Sequence, residues 1–175
     1  AVRLMVKEIR EEAGGLWSDK VAYTRIPIRL GEDVFETGRI GSDKEKALTK
    51  AIGGFRLLLQ SMGVTEYRAC ATSAMREAEN GPEVVRAILD KTGVDIEIIR
   101  GREEADLIFS NFTIATLDRD QDYLYVDVGG GSTELTLIRR GERVKAKSFR
   151  IGSVRLLKGK VNVDVLDALR AWCQE

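Results

Sequence analysis

The chain begins by alternating. Ala1 to Ile9 sets apolar against polar positions with a period of two and predicts a strand that starts without any lead-in, so a preceding segment is expected. Gly14-Gly15, inside Glu11 to Asp19, predicts a turn. Lys20 to Leu30 then alternates again and Asp33 to Ile40 forms a shorter third run, together an antiparallel meander. At Ser42 the period changes. Ser42 with Glu45 reads as a capping box, after which Ala47, Leu48, Ala51, Ile52, Phe55, Leu58, Leu59 and Met62 recur at helical spacing up to Gly63. Gly53-Gly54 weakens an isolated helix, so that face is expected to pack closely on the sheet. A strand over Glu66 to Ala71 runs into a short helix carrying Arg76, with Ser73 as its expected cap. Pro82 opens another helix and Gly93 closes it, Val94 to Arg100 is a strand, and Arg102 to about Leu117 is a helix. The last third reads as a strand over Tyr123 to Val128, a hairpin of Leu135 to Arg139 and Arg143 to Arg150 around Arg140-Gly141, and a helix from Val163 to Glu175. Arg150 to Leu156, which reads Arg-Ile-Gly-Ser-Val-Arg-Leu, faintly echoes Arg29-Leu30-Gly31-Glu32, and an internal repeat would place a first glycine loop just before Ala1.

The chemistry gathers where the strand after Tyr123 meets three glycines. Without Cβ at Gly129, Gly130 and Gly131 the backbone can turn its N–H groups onto an anion, and Ser132 and Thr133 add hydroxyls. Asp127 and Glu134 flank the run as carboxylates able to hold a divalent ion against phosphate. Two familiar loops are excluded. A dinucleotide fingerprint needs glycine at Glu134 followed by a helix, and a Walker loop needs Gly-Lys-Ser/Thr. A tight hairpin without ligand stays open, although it has no use for the two acids. Thr72, Ser73 and Arg76 offer a second place for an anion, against the plainer reading of a capped helix with a solvated arginine. Glu103 and Glu104 in a first helical turn complement the helix dipole on any reading.

Composition then narrows the classes. Of the 175 residues 43% are apolar, enough for a core, and 28 basic residues balance 28 acidic ones. No basic field argues for nucleic acid, so an anion is held locally. Histidine is absent, which removes histidine triads and histidine metal sites and leaves carboxylate, lysine, tyrosine or cysteine as a base. The two cysteines, Cys70 and Cys173, are too few for a metal cage or a disulfide framework and point to a reducing, cytoplasmic setting. No stretch is long and apolar enough for a membrane span.

Three segments in this order resemble the exopolyphosphatase and guanosine-pentaphosphate phosphohydrolase family: Ala71-Thr72-Ser73-Ala74-Met75-Arg76, Gly101-Arg102-Glu103-Glu104-Ala105, and Asp127 through Leu135. The resemblance implies an α/β fold of the actin, hexokinase and Hsp70 (ribonuclease H-like) type with a mixed sheet. Residues 1–121 would be a first domain without its first strand and phosphate loop, and 122–175 the start of a second. It implies Mg²⁺-dependent release of terminal phosphate from inorganic polyphosphate, or conversion of guanosine pentaphosphate to tetraphosphate. Residue by residue, it makes Glu104 the general base, Asp127, Glu134 and Glu104 metal-linked acids, and Gly129, Gly130, Gly131, Ser132 and Thr133 phosphate-binding, with Thr72 and Arg76 bordering the cleft. With half of the phosphate clamp lying before Ala1, the chain alone is expected to be a poor enzyme. An ATP-binding kinase or ATPase of the same superfamily and a sensor of phosphorylated nucleotides are the competing readings. Arg25, Arg29, Arg139, Arg140, Arg143 and Lys145 are candidates for a basic channel, or simply solvated strand faces. Self-association, as a homodimer, is expected from exposed sheet edges.

Overall fold

The structure is a computed structural model and describes residues 1–12, 15–113, 118 and 120–174. β1 (Val2–Glu12) and β2 (Gly15–Ile26) pair antiparallel from Val2 opposite Ile26 to Glu12 opposite Gly15, with an irregularity at Val6/Lys7. The strands therefore outrun the predicted turn, whose Ala13 and Gly14 lie outside the described residues. Val2, Leu4 and Ile26 turn toward the core. Three cross-strand pairs are of like charge, Arg3 opposite Arg25, Lys7 opposite Lys20 and Glu8 opposite Asp19.

The expected third strand is a helix, α1 (Leu30–Thr37). Val34 and Phe35 are adjacent and both buried, which a strand facing one core cannot provide and a helix can. Glu32 and Asp33 suit its first turn, and Gly38 closes it in the left-handed region at φ 77° with its N–H on the Val34 carbonyl at 2.9 Å. α2 (Ser42–Ser61) buries Leu48, Ala51, Ile52, Phe55 and Leu59, while Leu58 and Met62 are exposed. Ser42 lies inside the helix and makes no cap; Gly41 stands at the cap, its N–H held by Asp33 at 3.1 Å. Nor does the glycine pair face a sheet. Gly53 lies against Thr92 of α4 (Gly81–Thr92), and Gly54 faces open space.

β3 (Cys70–Ala71) and β4 (Glu97–Ile98) pair in parallel and are far shorter than predicted, with only Cys70 opposite Glu97 and Ala71 opposite Ile98 in register. Between them lie α3 (Ser73–Glu77) and α4, tied to the α1–α2 connection through Asn80, whose amide accepts from Ile40 N at 2.9 Å and donates to Ile40 O at 3.0 Å. Ser73 is the first residue of α3, Thr72 stands at the cap position, and no side chain caps that end, contrary to expectation.

α5 (Gly101–Thr113) crosses to lie on the second sheet, β5 (Asp122–Val128), β6 (Thr133–Arg139) and β7 (Glu142–Phe149), ordered β5-β6-β7 and antiparallel throughout. The predicted end of α5, 114–117, lies outside the described residues. Arg140 and Gly141, at φ 52° and 76°, make the β6–β7 turn with both central residues left-handed. α6 (Ser153–Leu157) and α7 (Val163–Gln174) complete the chain. The faint repeat has a structural form: hairpin, short helix and long helix occur twice, as β1-β2-α1-α2 and as β6-β7-α6-α7. The apolar residues gather in two clusters, one spanning Val34 to Ile96 and the other joining Leu135, Phe149, Ile151 and Trp172. In the second unit β5 flanks β6. In the first, the corresponding side of β1 opens into a cavity of about 970 Å³, bounded across from β1 by residues 66–72.

Candidate active site

The inner end of that cavity is lined by Thr72, Ser73, Glu104, Asp127, Gly129 to Ser132, and Glu134. Three segments far apart in sequence thus meet, each delivered by the end of a regular element. β3 hands the chain to α3 at Thr72, the first turn of α5 carries Glu104, and the β5–β6 turn carries the glycines.

The turn's orientation follows from what holds its carbonyls. The Gly129 oxygen accepts from Ser153 N at 2.9 Å, that of Gly130 from Val154 N at 3.0 Å, and that of Gly131 from Arg155 Nε at 2.7 Å. All three bonds come from α6. No peptide bond among the described residues is cis, so the N–H of each of these units points opposite its carbonyl, away from α6. The N–H groups of Gly130, Gly131 and Ser132 make no hydrogen bond among the described residues. Space forbids side chains here. A Cβ on Gly131 would lie 2.8 Å from Ser73 Oγ and collide with the Phe35 ring. A Cβ on Gly152 would lie 2.5 Å from Gly131 N, inside the turn's backbone.

The two adjacent glutamates are sorted by their neighbours. Glu103 is bound by Arg68 at 2.6 Å in an exposed cluster with Glu97. Glu104 turns inward. Its Oε2 is buried and has no hydrogen-bond partner among the described residues; the Arg76 guanidinium stands 3.7 Å away. Burial, then the negative charge of Glu134, pushes the Glu104 carboxyl up, and Arg76 and the Thr72 hydroxyl pull it down without cancelling the rise. Such a carboxyl holds its proton more tightly folded than unfolded. Its penalty is absent below the unfolded value of about 4.3 and complete above the raised folded value, so stability falls as pH rises between them. Melting curves in chelator across that window should show this slope, and Glu104→Gln should flatten it and raise Tm at neutral pH. An unchanged slope would remove Glu104 as its source.

Glu134 is 3% exposed and accepts from Ser148 Oγ at 2.7 Å, directly opposite Asp127 in the β5–β6 register. Tyr125 and Asp127 alternate onto the face that Glu134 shares in the β5–β6 register, and burial together with Asp127 and Glu134 raises the Tyr125 hydroxyl. Two expected phosphate ligands are otherwise engaged. Thr133 donates its hydroxyl to the Ile151 carbonyl at 2.6 Å and lies outside the cavity wall, because the first residue of β6 must anchor the incoming chain. Arg76 also stands behind the wall, bound to the Ile99 carbonyl at 2.6 Å, where it faces Glu104. Of the basic candidates, Arg25 and Arg29 line the cavity, joined by Arg3 and Lys7. Arg139 pairs with Asp122 at 3.2 Å, Arg143 with Asp106, and Lys145 covers the Trp172 ring. Sequence reasoning missed Ser148, Phe35 and Arg155; only Arg155 carried a signal, as part of the faint repeat.

Among the described residues no helix is long and apolar enough to cross a membrane. The pattern of the Ppx/GppA phosphatase family matches residues 8–171. Exopolyphosphatase 2 of Mycobacterium tuberculosis is 31% identical over 170 residues, covering 94% of this chain and 53% of that protein. The bifunctional 3-dehydroquinate synthase/phosphatase of Fusobacterium nucleatum is 31% identical over 159 residues, covering 88% of this chain and 24% of the other. The chain thus spans from about a quarter to about half the length of these relatives. Among solved structures, an exopolyphosphatase from Cytophaga hutchinsonii aligns at TM-score 0.80 with 25% identity, over 90% of this chain and 50% of that one. The Aquifex aeolicus Ppx/GppA protein aligns at 0.73 with 27% identity, over 89% and 49%. The mixed α/β, actin-like fold expected from the sequence is the fold these structures share with this chain over about half their length. Motif order, fold and matched residues agree: the chain belongs to the Ppx/GppA phosphatase family.

Proposed function

We propose that the cavity is one wall of the reaction cleft of a phosphohydrolase that releases terminal phosphate from inorganic polyphosphate or guanosine pentaphosphate. The observation that carries this reading is the pairing of three outward amides, Gly130 to Ser132, with a buried, under-bonded carboxylate oxygen on Glu104 in one cavity. Phosphoryl transfer to water asks little covalent help from a protein. It needs donors for the phosphate oxygens, charge neutralisation, and a base to orient water.

The amides would bind the terminal phosphate, and Glu104 would accept the proton of the attacking water. Arg76, behind Glu104, would hold that carboxylate in place. Asp127 and Glu134, which face each other across the β5–β6 register, would hold Mg²⁺, and Glu104 is left for the water. Among the described residues no three acids converge closely enough to cage a metal unaided. That fits an ion bound through one or two carboxylates plus water and phosphate oxygens. Bound Mg²⁺ would neutralise charge developing on the phosphate. The basic wall of Arg3, Lys7, Arg25 and Arg29 supports a chain-like polyanion over a compact nucleotide.

The test is phosphate release by the full-length protein from long polyphosphate and, in parallel, from guanosine pentaphosphate, with Mg²⁺. Turnover of either supports the hydrolase, and the ratio of kcat/KM assigns the substrate. Binding without turnover would support a sensor instead, and turnover of ATP alone would support the kinase or ATPase reading.

A further inference from the structure

We infer that Arg155 is a positioning residue that couples the glycine turn to the first half of the molecule, so that the turn is aimed only when the two halves are engaged. The inference rests on the turn being the phosphate-binding element. Arg155 sits on α6 and is 6% exposed, a burial that a guanidinium tolerates only with full pairing. Its partners come from three other places. Nε donates to the Gly131 carbonyl at 2.7 Å, the terminal nitrogen pairs with Glu77 at the end of α3, and the guanidinium plane lies 4.1 Å from the centre of the Phe35 ring of α1.

The Gly129 and Gly130 carbonyls are held by α6 backbone, whose reach is fixed by its helical geometry. The Gly131 carbonyl is held by a side chain. The peptide unit that presents the Ser132 N–H is therefore aimed by Arg155, and Arg155 is aimed by Glu77 and Phe35. Glu77 is shared, since Arg150 also donates to it at 2.5 Å, and Lys158 pairs with Glu36 of α1 nearby. These contacts form a bridge from α1 and α3 to α6, and its innermost member ends on the turn. A lysine keeps the charge but lacks the planar fork that can donate in two directions while sitting over an aromatic ring.

Inorganic tripolyphosphate with Mg²⁺ serves as the probe in the full-length protein, with Arg155→Lys, Glu77→Gln and the double variant. Each single variant should weaken tripolyphosphate binding by about tenfold, within the usual range of coupling between sites. The double variant should be no weaker than the weaker single one, because both changes break one bridge. KM should rise with these variants while kcat stays within a few-fold of the parent's. Unchanged affinity in both single variants, or losses that multiply in the double variant, would overturn the inference. Hydrogen exchange provides an arm that needs no substrate. Glu77→Gln should speed exchange of the Ser153 and Val154 amides, which lie in the other half of the molecule; exchange equal to the parent's would also overturn the coupling. If the parent neither binds nor cleaves tripolyphosphate, the phosphate reading fails, while the exchange result still decides whether the bridge exists.

Discussion

Glu104→Gln in the full-length protein should lose about a hundredfold to ten-thousandfold in phosphate release, the range a positioned general base supplies. Tripolyphosphate affinity should stay within a few-fold of the parent's. Glutamine keeps the shape and removes the ability to take a proton, so a loss confined to kcat identifies proton transfer. The neighbouring Glu103→Gln is the control, since Arg68 binds Glu103 on the exposed side. It should change kcat by less than about threefold, as expected of a surface pair. Equal losses in the two variants would mean the helix turn is being disturbed as a whole, and a fully active Glu104→Gln would retire Glu104 as base.

Gly152→Ala should damage the site and the fold together. The added Cβ would collide with the Gly130 carbonyl and lie 2.5 Å from Gly131 N, backbone against backbone, where no side chain can swing aside. The turn must shift or α6 must lift. Overpacking of this kind costs about 1–3 kcal/mol, visible as a lower denaturation midpoint. Activity should fall further than stability, because the displaced atoms belong to the peptide unit presenting the Gly131 amide. Gly54→Ala is the matching control. It sits in α2 with nothing around its added Cβ, so helix propensity should make the variant about 0.5–1 kcal/mol more stable with activity intact. A Gly152→Ala protein with the parent's midpoint and rate would mean that the turn yields freely.

These two positions show what sequence could and could not reveal. Glu104 was found through its motif, but choosing it over Glu103 on physical grounds required Arg68, which arrives from β3's side of the fold. Gly152 and Arg155 lay in a segment noticed only as a repeat, because a close backbone approach leaves no trace in residue type beyond a glycine. The helices of clear period, α2 and α4, were read within a residue or two. α1 was misread as a strand because its eight residues are too short to establish a period. β3 and β4 are shorter than their side chains suggest, because only Cys70–Ala71 and Glu97–Ile98 meet in the parallel register and residue type does not show where pairing stops.

The β1–β2 hairpin carries a consequence of its own through Arg3 opposite Arg25 and Lys7 opposite Lys20. Like charges facing across a ladder repel, and three of these four also line the cavity. The hairpin is therefore held against an electrostatic strain that mobile counter-ions relieve. Added salt should tighten it even as it loosens surface ion pairs elsewhere, and a polyanion lying along that wall would relieve the same strain locally. Ionic strength and substrate would then compete for one set of charges, making occupancy of the cavity a sensor of its ionic surroundings.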